Sequence, residues 1–379
     1  MLLTSEFSAS CLALINVVPR IRSNNTEMDD PTISEGFEAV KFLELIKHHT
    51  EEGDDVDSIA KEEKFNEFKK SIQDGRLKSA SSPSYFIMTI NMNSPKKRVT
   101  EKRRRFVSII MRSFFSSIIF CQELPGYFEE KVVAECGASG PYGHAKNGKE
   151  SAVIWLKEDF DGETEGLETT DTWIREVRNS LGADASELLS RIAMVKLTSK
   201  EPSADSVLAV SWHGRHKLKY EDKLREFESL TTFLAKVIKK KGIPSYIIGG
   251  DFNFDTLEVE LPKDGVVSNY ELSPRQTQVQ QGSGCYIPHK DNFILFPNKK
   301  LRVSNVRPFL FEDKETTTTD FSKDDQANVK GEMANATNTS VNPTDMLDHD
   351  PIIGVIQFTS STAVKNLSKE FEKVAIADS

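Results

Sequence analysis

Six short apolar runs, each adjoining a polar residue suited to chemistry, are spread over about one domain length of this 379-residue chain. The clearest occupies residues 247–255, where an apolar run passes into Gly249 and Gly250 and then presents Asp251 and Asn253. Residues two apart in a strand point the same way, so both polar side chains project together from the strand end. The glycine pair allows close approach of backbone or substrate. Taken alone, this motif is equally compatible with an Asx-rich turn after a buried strand.

A second motif of this kind lies in residues 345–356. Asp348 and His349 come just before a continuous apolar run that predicts a core strand, and Pro351 opens that strand. Carboxylate oxygens suit hard cations such as Mg²⁺ or Mn²⁺, and imidazole titrates near neutral pH. The pair therefore suits a metal-assisted site, although an isolated Asp-His pair is also common in ordinary loops.

Four further apolar runs have a polar residue at one end. Each is a weak signal by itself, because buried strands commonly end in polar residues. Their order along the chain and their shared position at strand ends favour one common site. These residues are Asn91 after residues 85–90, Glu123 after 117–122, His213 after 207–212 and Asp291 before 292–296.

With these motifs, the chain resembles the endonuclease/exonuclease/phosphatase superfamily over about residues 82–360. The resemblance implies an α/β fold of the deoxyribonuclease I-like type: a four-layer α/β sandwich of two packed mixed β-sheets flanked by helices. The alternation of predicted strands and helices agrees with this fold, including a helix at about residues 220–241 that ends in basic residues. The resemblance also implies hydrolysis of phosphoester bonds with Mg²⁺ (or Mn²⁺) as the cofactor.

The same resemblance assigns roles to the polar residues. The implied metal ligands are Glu123, Asp348 and Asn91. The implied catalytic residues are His213, Asp251, Asn253, Asp291 and His349. Asp251 would orient the attacking water, while Asn253 and His213 would donate to the phosphoryl oxygens. His349, held by Asp291, would act as the base or as an electrostatic partner of the phosphate, and the division of roles between Asp251 and His349 stays open.

The charge distribution bears on the substrate. A net charge of −9 counts against a protein that coats nucleic acid non-specifically, since phosphate neutralisation by Lys and Arg supplies most of that affinity. A nuclease needs only a local basic rim, which residues 95–105 and 213–219 could form. The first stretch is also compatible with a nuclear address or with a solvated helix start. The substrate-binding candidates in these two stretches are Arg98, Arg103, Arg215 and Lys217.

Three functions from different classes remain open. The first is a divalent-metal-dependent phosphodiesterase acting as a nuclease on DNA or RNA, which the basic stretch favours. The second is a phosphatase or phosphodiesterase on a small phosphoester such as a nucleotide, phosphoinositide or sphingolipid headgroup, which the overall acidity favours. The third is a catalytically silent binding module on the same fold, against which the full set of acidic, amide and imidazole positions counts.

The chain divides by composition and periodicity. Residues 1–81 are predicted to form a partly disordered N-terminal extension with two amphipathic helices. Residues 82–360 are predicted to form the catalytic domain, and residues 361–379 are predicted to form a tail. A polar insertion occupies about residues 313–343. The four cysteines lack paired spacing, and no apolar run reaches the roughly 18 residues of a membrane span. These features predict an intracellular protein of the cytoplasm or nucleus rather than a secreted one, and they leave the oligomeric state undetermined.

Overall fold

The structure is a computed structural model that describes residues 84–93, 97–112, 116–134, 141–201, 205–272, 287–296, 301–309 and 350–358. The predicted N-terminal helices, the insertion at about 313–343 and the tail lie outside the described residues, so the domain division stays a prediction. Asp348 and His349 also lie outside them, as does the side chain of Arg98.

Two six-stranded sheets form the body of the protein. The strands are β1 (Ser84–Asn91), β2 (Ile118–Gln122), β3 (Tyr142–Asn147), β4 (Ser151–Leu156), β5 (Phe160–Glu163), β6 (Ile192–Ser199), β7 (Ser206–His213), β8 (Tyr246–Asp251), β9 (Val266–Val267), β10 (Asp291–Phe296), β11 (Leu301–Pro308) and β12 (Ile352–Phe358). The first sheet has the order β11-β12-β1-β2-β4-β3 and the second the order β5-β6-β7-β8-β10-β9. Within the first sheet β1 and β2 are parallel, and within the second β7 and β8 are parallel, whereas the other neighbours are antiparallel. Both sheets are therefore mixed, as the sequence predicts.

The helices lie on the outer faces of the sheets. They are α1 (Lys97–Arg112), α2 (Thr172–Asn179) and α3 (Tyr220–Lys241), with a turn of π-helix at Phe128–Val133 and 3₁₀ turns at Ala183–Ala185, Leu188–Ser190 and Thr256–Glu258. The bounds of α3 agree with the prediction from sequence. Acidic Glu221 and Asp222 occupy its first turn and Lys239–Lys241 its last, which complements the helix dipole. Gly242, with a φ of 63°, ends the helix in the left-handed conformation.

Three apolar layers hold the sheets and helices together. The central layer lies between the two sheets, where the rings of Phe120 and Phe293 meet edge to face at 6.0 Å. A second layer joins the first sheet to α1 through residues such as Phe106, and a third joins the second sheet to α2 and α3 around Trp212. Because both faces of the central strands are covered, all five residues of β2 are buried. This arrangement confirms the predicted four-layer sandwich.

The inner faces of the sheets change from apolar to polar toward one end. On β2, Phe120 lies in the apolar layer, whereas Gln122, two residues on, donates from Nε2 to the Ser211 hydroxyl at 3.0 Å. Ser211 on β7 in turn donates to the carbonyl oxygen of Cys121 at 2.9 Å. These bonds join the two sheets where the parallel pairs β1–β2 and β7–β8 reach their carboxyl ends. A polar pocket can therefore form at that edge.

No helix in the described part of the chain has the length and apolar character needed to cross a membrane. Cys121 is a buried, free cysteine within β2, and burial raises the pKa of its thiol well above the ordinary value.

Candidate active site

Four of the predicted site residues meet at the carboxyl ends of the parallel strand pairs. Strand register places Asn91 beside Gln122 in the first sheet and His213 beside Asp251 in the second. The Asn91 amide nitrogen crosses between the sheets and donates to Asp251 Oδ2 at 3.2 Å. The same nitrogen donates to Glu123 Oε1 at 3.3 Å, so two carboxylates from different sheets surround one amide.

Asn91 is held from two further directions. Its side-chain Oδ1 accepts the main-chain N–H of Asn93 at 2.8 Å, which turns Nδ2 toward the carboxylates. Its main-chain carbonyl accepts a hydrogen bond from the Arg103 guanidinium. Arg103, which the sequence suggests as a substrate-binding residue, is only 2% exposed because α1 points it into this contact. The structure therefore places Arg103 behind the pocket rather than on its rim.

His213 lies between two carboxylate environments. Its Nδ1 is 2.7 Å from Glu150 Oε2, while its Nε2 is 3.5 Å from Glu123 Oε1 and 3.9 Å from Asp251 Oδ2. Arg191 donates to the His213 carbonyl at 3.0 Å and lies 3.6 Å from Glu150 Oε2. The Glu150 contact fixes the ring orientation, so Nε2 points toward the pocket.

The surroundings of His213 favour its charged form. Burial lowers the pKa of the imidazole, but the hydrogen bond that it donates to Glu150 and the charges of Asp251 and Glu123 outweigh this, so the pKa of His213 is raised above its ordinary value. The hydrogen bond with His213 lowers the pKa of Glu150 in return. His213 therefore suits a cationic hydrogen-bond donor at the pocket rather than a neutral proton acceptor.

Asp251 and Asn253 are linked through the loop that follows β7. Asp251 Oδ1 accepts the main-chain N–H of Asn253 at 3.1 Å, and its carbonyl accepts the N–H of Gly214 at 2.7 Å. The Asn253 amide nitrogen donates to the Gly214 carbonyl at 2.9 Å.

Asn253 and Glu123 have φ values of 59° and 49°, a left-handed conformation that residues other than glycine seldom adopt. Such backbone strain concentrates where the surrounding structure fixes a functional geometry.

Asp291 lies beside Asp251, because β8 and β10 pair antiparallel with these residues in register. Burial raises the pKa of Asp291 to about 6, an effect that the charges of Lys290, Arg103 and His213 only partly offset. The predicted contact between Asp291 and His349 stays a prediction, since His349 lies outside the described residues.

The remaining substrate-binding candidates differ in their surroundings. The Arg215 side chain is paired with buried Glu226, with Nε 2.8 Å from Oε1. Lys217 is exposed on the loop between β7 and α3. Arg98 belongs to α1, and its side chain is outside the described residues. The structure therefore leaves Lys217 available to a substrate and gives Arg215 a structural partner.

Sequence reasoning missed three residues that support the pocket. Glu150 lies in the turn between β3 and β4, Arg191 directly precedes β6, and Lys223 lies in the first turn of α3, with Nζ 2.7 Å from the Asn253 carbonyl. None of them follows an apolar run that ends at the site, so the strand-end pattern could not find them. Their importance comes from contacts across the fold, for which a single sequence carries no local signal.

The residues present fit part of a site for a hard divalent cation. Glu123 and Asp251 offer carboxylate oxygens of the kind that Mg²⁺ prefers, and each accepts a hydrogen bond from the Asn91 amide nitrogen, while Asn91 Oδ1 is bonded to the Asn93 N–H. Among the described residues no group of three or more His, Cys, Asp or Glu side chains is arranged to hold a metal ion. The third predicted ligand, Asp348, lies outside that part of the chain.

No protein-family model matches the chain, and no curated protein matches its sequence. Similar solved structures include an endonuclease/exonuclease/phosphatase family protein from Bacteroides thetaiotaomicron, with 14% identity, a TM-score of 0.46, and coverage of 73% of this chain and 99% of that one. TDP2 from Caenorhabditis elegans is 12% identical over 90% of this chain and 97% of its own, with a TM-score of 0.45. The human Nocturnin catalytic domain with bound sulfate is 13% identical, covers 73% and 94%, and has a TM-score of 0.43.

The superfamily that the sequence motifs resemble is thus represented among similar solved structures. These identities and TM-scores are too low to assign an activity to the chain. The function must be inferred from the residues of the pocket.

Proposed function

We propose that this protein is a divalent-metal-dependent phosphodiesterase, and specifically a nuclease that hydrolyses DNA or RNA. The supporting observation is that Glu123 and Asp251 both accept from the Asn91 amide, with His213 Nε2 3.5 Å from Glu123, at the carboxyl ends of the parallel strand pairs. Phosphodiester hydrolysis requires an oriented water, donors for the phosphoryl oxygens and relief of phosphate charge. This group of residues offers all three kinds of chemistry.

Each residue of the proposed mechanism has a role that its contacts support. Asp251, with both carboxylate oxygens already accepting hydrogen bonds, orients the attacking water. His213, charged through Glu150, donates from Nε2 to a phosphoryl oxygen, where negative charge increases during the reaction. Asn253 holds a second amide donor beside them. His349, which Asp291 would orient, is the proposed base or phosphate partner.

Glu123 and Asp348 are the residues that would hold Mg²⁺ or Mn²⁺ through carboxylate oxygens in this proposal, and Asn91, the third predicted ligand, supports Glu123 through its amide nitrogen. When bound, such a cation supplies charge neutralisation for the phosphate. The main-chain N–H of Glu123 donates to the Glu150 carbonyl at 3.0 Å, so the loop that carries the proposed ligand is tied to the turn that holds His213.

A small phosphoester is the second candidate substrate, and one observation favours it. Arg103 is buried against Asn91, and Arg215 is paired with Glu226, so two of the four predicted nucleic-acid contacts are occupied within the fold. Together with the net charge of −9, this reduces the basic surface available for a long polyanion.

A substrate panel separates the candidates. We expect the protein, with Mg²⁺ or Mn²⁺, to cleave plasmid DNA or single-stranded RNA faster than a nucleotide, inositol phosphates or sphingomyelin. Cleavage of only the small phosphoesters would support the second candidate. No cleavage of any substrate with either metal would contradict both and would leave a silent binding module.

The Glu123→Gln variant tests the site itself. We expect it to lower metal-dependent cleavage by about 100-fold, because an amide is a much weaker ligand than a carboxylate for a hard cation. The matched control is Glu228→Gln, which changes an exposed glutamate on α3. Both variants should unfold at nearly the wild-type temperature, so a loss of activity would not come from unfolding. Equal activity of the two variants would show that Glu123 has no part in the reaction.

A further inference from the structure

Lys223 is a buried cation directly behind the pocket. It lies in the first turn of α3, is 8% exposed, and donates from Nζ to the main-chain carbonyl of Asn253 at 2.7 Å. An isolated buried ammonium is costly, but the nearby charge of Asp251 opposes the lowering of its pKa by burial. The ammonium is therefore held in place by the catalytic loop rather than by solvent.

Arg103 has the same relation to the other half of the pocket. It comes from α1, on the outer face of the first sheet, and donates to the main-chain carbonyl of Asn91. Lys223 comes from α3, on the outer face of the second sheet. Each buried cation thus binds the main chain of one asparagine whose side-chain amide belongs to the site.

The backbone departs from strand geometry at Asn253 itself and two residues after Asn91. Asn253 has a left-handed φ of 59°, and Asn93, whose N–H binds the Asn91 side chain, has a φ of 52°. Strand β1 ends at Asn91 and β8 ends at Asp251, two residues before Asn253, so the carbonyls of Asn91 and Asn253 accept from side chains instead of a neighbouring strand. A charged donor makes a stronger hydrogen bond than a neutral one and so fixes a carbonyl more firmly.

We propose that Lys223 and Arg103 are positioning residues of the active site. They hold the main-chain carbonyls of Asn253 and Asn91 on the helix side of each sheet, and this keeps the two side-chain amides directed at the carboxylates and the substrate phosphate. The inference rests on the proposed function for its effect on turnover, but its structural part does not depend on any reaction.

Lys223→Met tests the positioning role, because methionine keeps most of the volume and removes the charged donor. We expect kcat for phosphodiester cleavage to fall by about 10- to 100-fold, since small displacements of catalytic groups have effects of that size. The KM should change by less than about threefold, because the lysine does not touch the substrate. Lys223→Arg, which keeps a charged donor, should recover most of the activity. Lys239→Met, an exposed position on the same helix, is the matched control.

Hydrogen exchange measured by mass spectrometry provides the readout that needs no substrate. In Lys223→Met, peptides covering residues 212–216 and 250–256 should exchange faster than in the wild type, because the N–H groups of Gly214 and Asn253 both bind Asp251. Arg103→Met should instead speed exchange around the Asn93 N–H, and Arg103→Lys should restore it.

The outcomes separate this inference from the proposed function. If the wild type cleaves no phosphoester, the proposed function fails, while faster exchange in Lys223→Met still supports positioning. Unchanged kcat and unchanged exchange would overturn the inference. If Lys223→Met fails to fold, Lys223→Gln decides by the same two measurements. Glutamine keeps a neutral donor on a side chain one bond shorter, so wild-type behaviour of that variant would contradict the need for a charge.

Discussion

At the scale of single residues, the pocket depends on side chains that fix one another rather than on isolated functional groups. His213 shows this most clearly, because Glu150 sets its orientation and, with Glu123 and Asp251, its charge. An imidazole so close to three carboxylates gains more from its positive charge than it loses through burial. The Glu150 contact is therefore a determinant of chemistry as well as of geometry.

Replacing Glu150 with glutamine should lower the pKa of His213, because it weakens the hydrogen bond to a neutral one and removes part of the negative charge that raises this pKa. With a raised pKa, the charged His213 stabilises the folded state at low pH, and this contribution is lost as the pH rises through that pKa. In Glu150→Gln the loss should occur at lower pH. An NMR titration of the ring in the metal-free protein measures the shift.

Glu163→Gln, which changes a carboxylate that pairs with Lys196 instead, is the control for this titration. It should leave the His213 titration unchanged. An equal His213 pKa in Glu150→Gln and in the wild type would contradict the assigned role of Glu150.

At the scale of elements, the ends of parallel strand pairs determine which residues meet. The sequence predicted Asn91, Glu123, His213 and Asp251 because each lies at the end of an apolar run, and that local signal survives in the fold. Turn and helix positions carry no such signal, so the support from Glu150, Arg191 and Lys223 could not be predicted. The burial of Arg103 was also missed, because a basic run looks the same whether its helix faces solvent or a sheet.

The pairing of β8 with β10 has a consequence for pH dependence. It buries Asp291 beside Asp251 and raises the pKa of Asp291 from 3.8 to about 6. Between these values the folded state keeps a proton that the unfolded chain has released, so the free energy of unfolding should fall as pH rises. Asp291→Asn lacks this titration. The difference between its free energy of unfolding and that of the wild type should therefore grow, in favour of the variant, by about 3 kcal/mol from about pH 4 to pH 6.

Chemical denaturation of the metal-free protein across this pH range measures the difference. The exposed Asp161→Asn should follow the wild-type curve, since Asp161 lies on the outer strand β5 and pairs only weakly with Lys200 at 3.4 Å. A constant difference between Asp291→Asn and the wild type at all pH values would show that the pKa of Asp291 is the same in the folded and unfolded states, which would contradict the raised value.

At the scale of the whole molecule, the pocket exists only because the two sheets pack at a fixed distance. The pocket requires residues from both sheets, since the Asn91 amide of the first sheet donates to Asp251 of the second. The sequence pattern predicted two packed sheets through the family resemblance, but it could not show which residues touch across the interface. Nothing in the sequence indicates that Gln122 of β2 contacts Ser211 of β7, or that Phe120 of β2 packs against Gly249 of β8.

Gly249 is where this packing is tightest near the site. A Cβ at this position would lie 2.4 Å from the Phe120 ring, and Phe120 is fully buried and cannot move aside. Gly249→Ala should therefore push β8 away from β2 and lower the free energy of unfolding by about 1–3 kcal/mol, the usual range for an overpacked core. Because Asp251 lies two residues further along β8, activity should fall as well. Gly126→Ala is the control, since a Cβ there has no atom within 4 Å. Equal denaturant midpoints for the two variants would mean that the sheets can separate without loss, and that their spacing does not hold the pocket together.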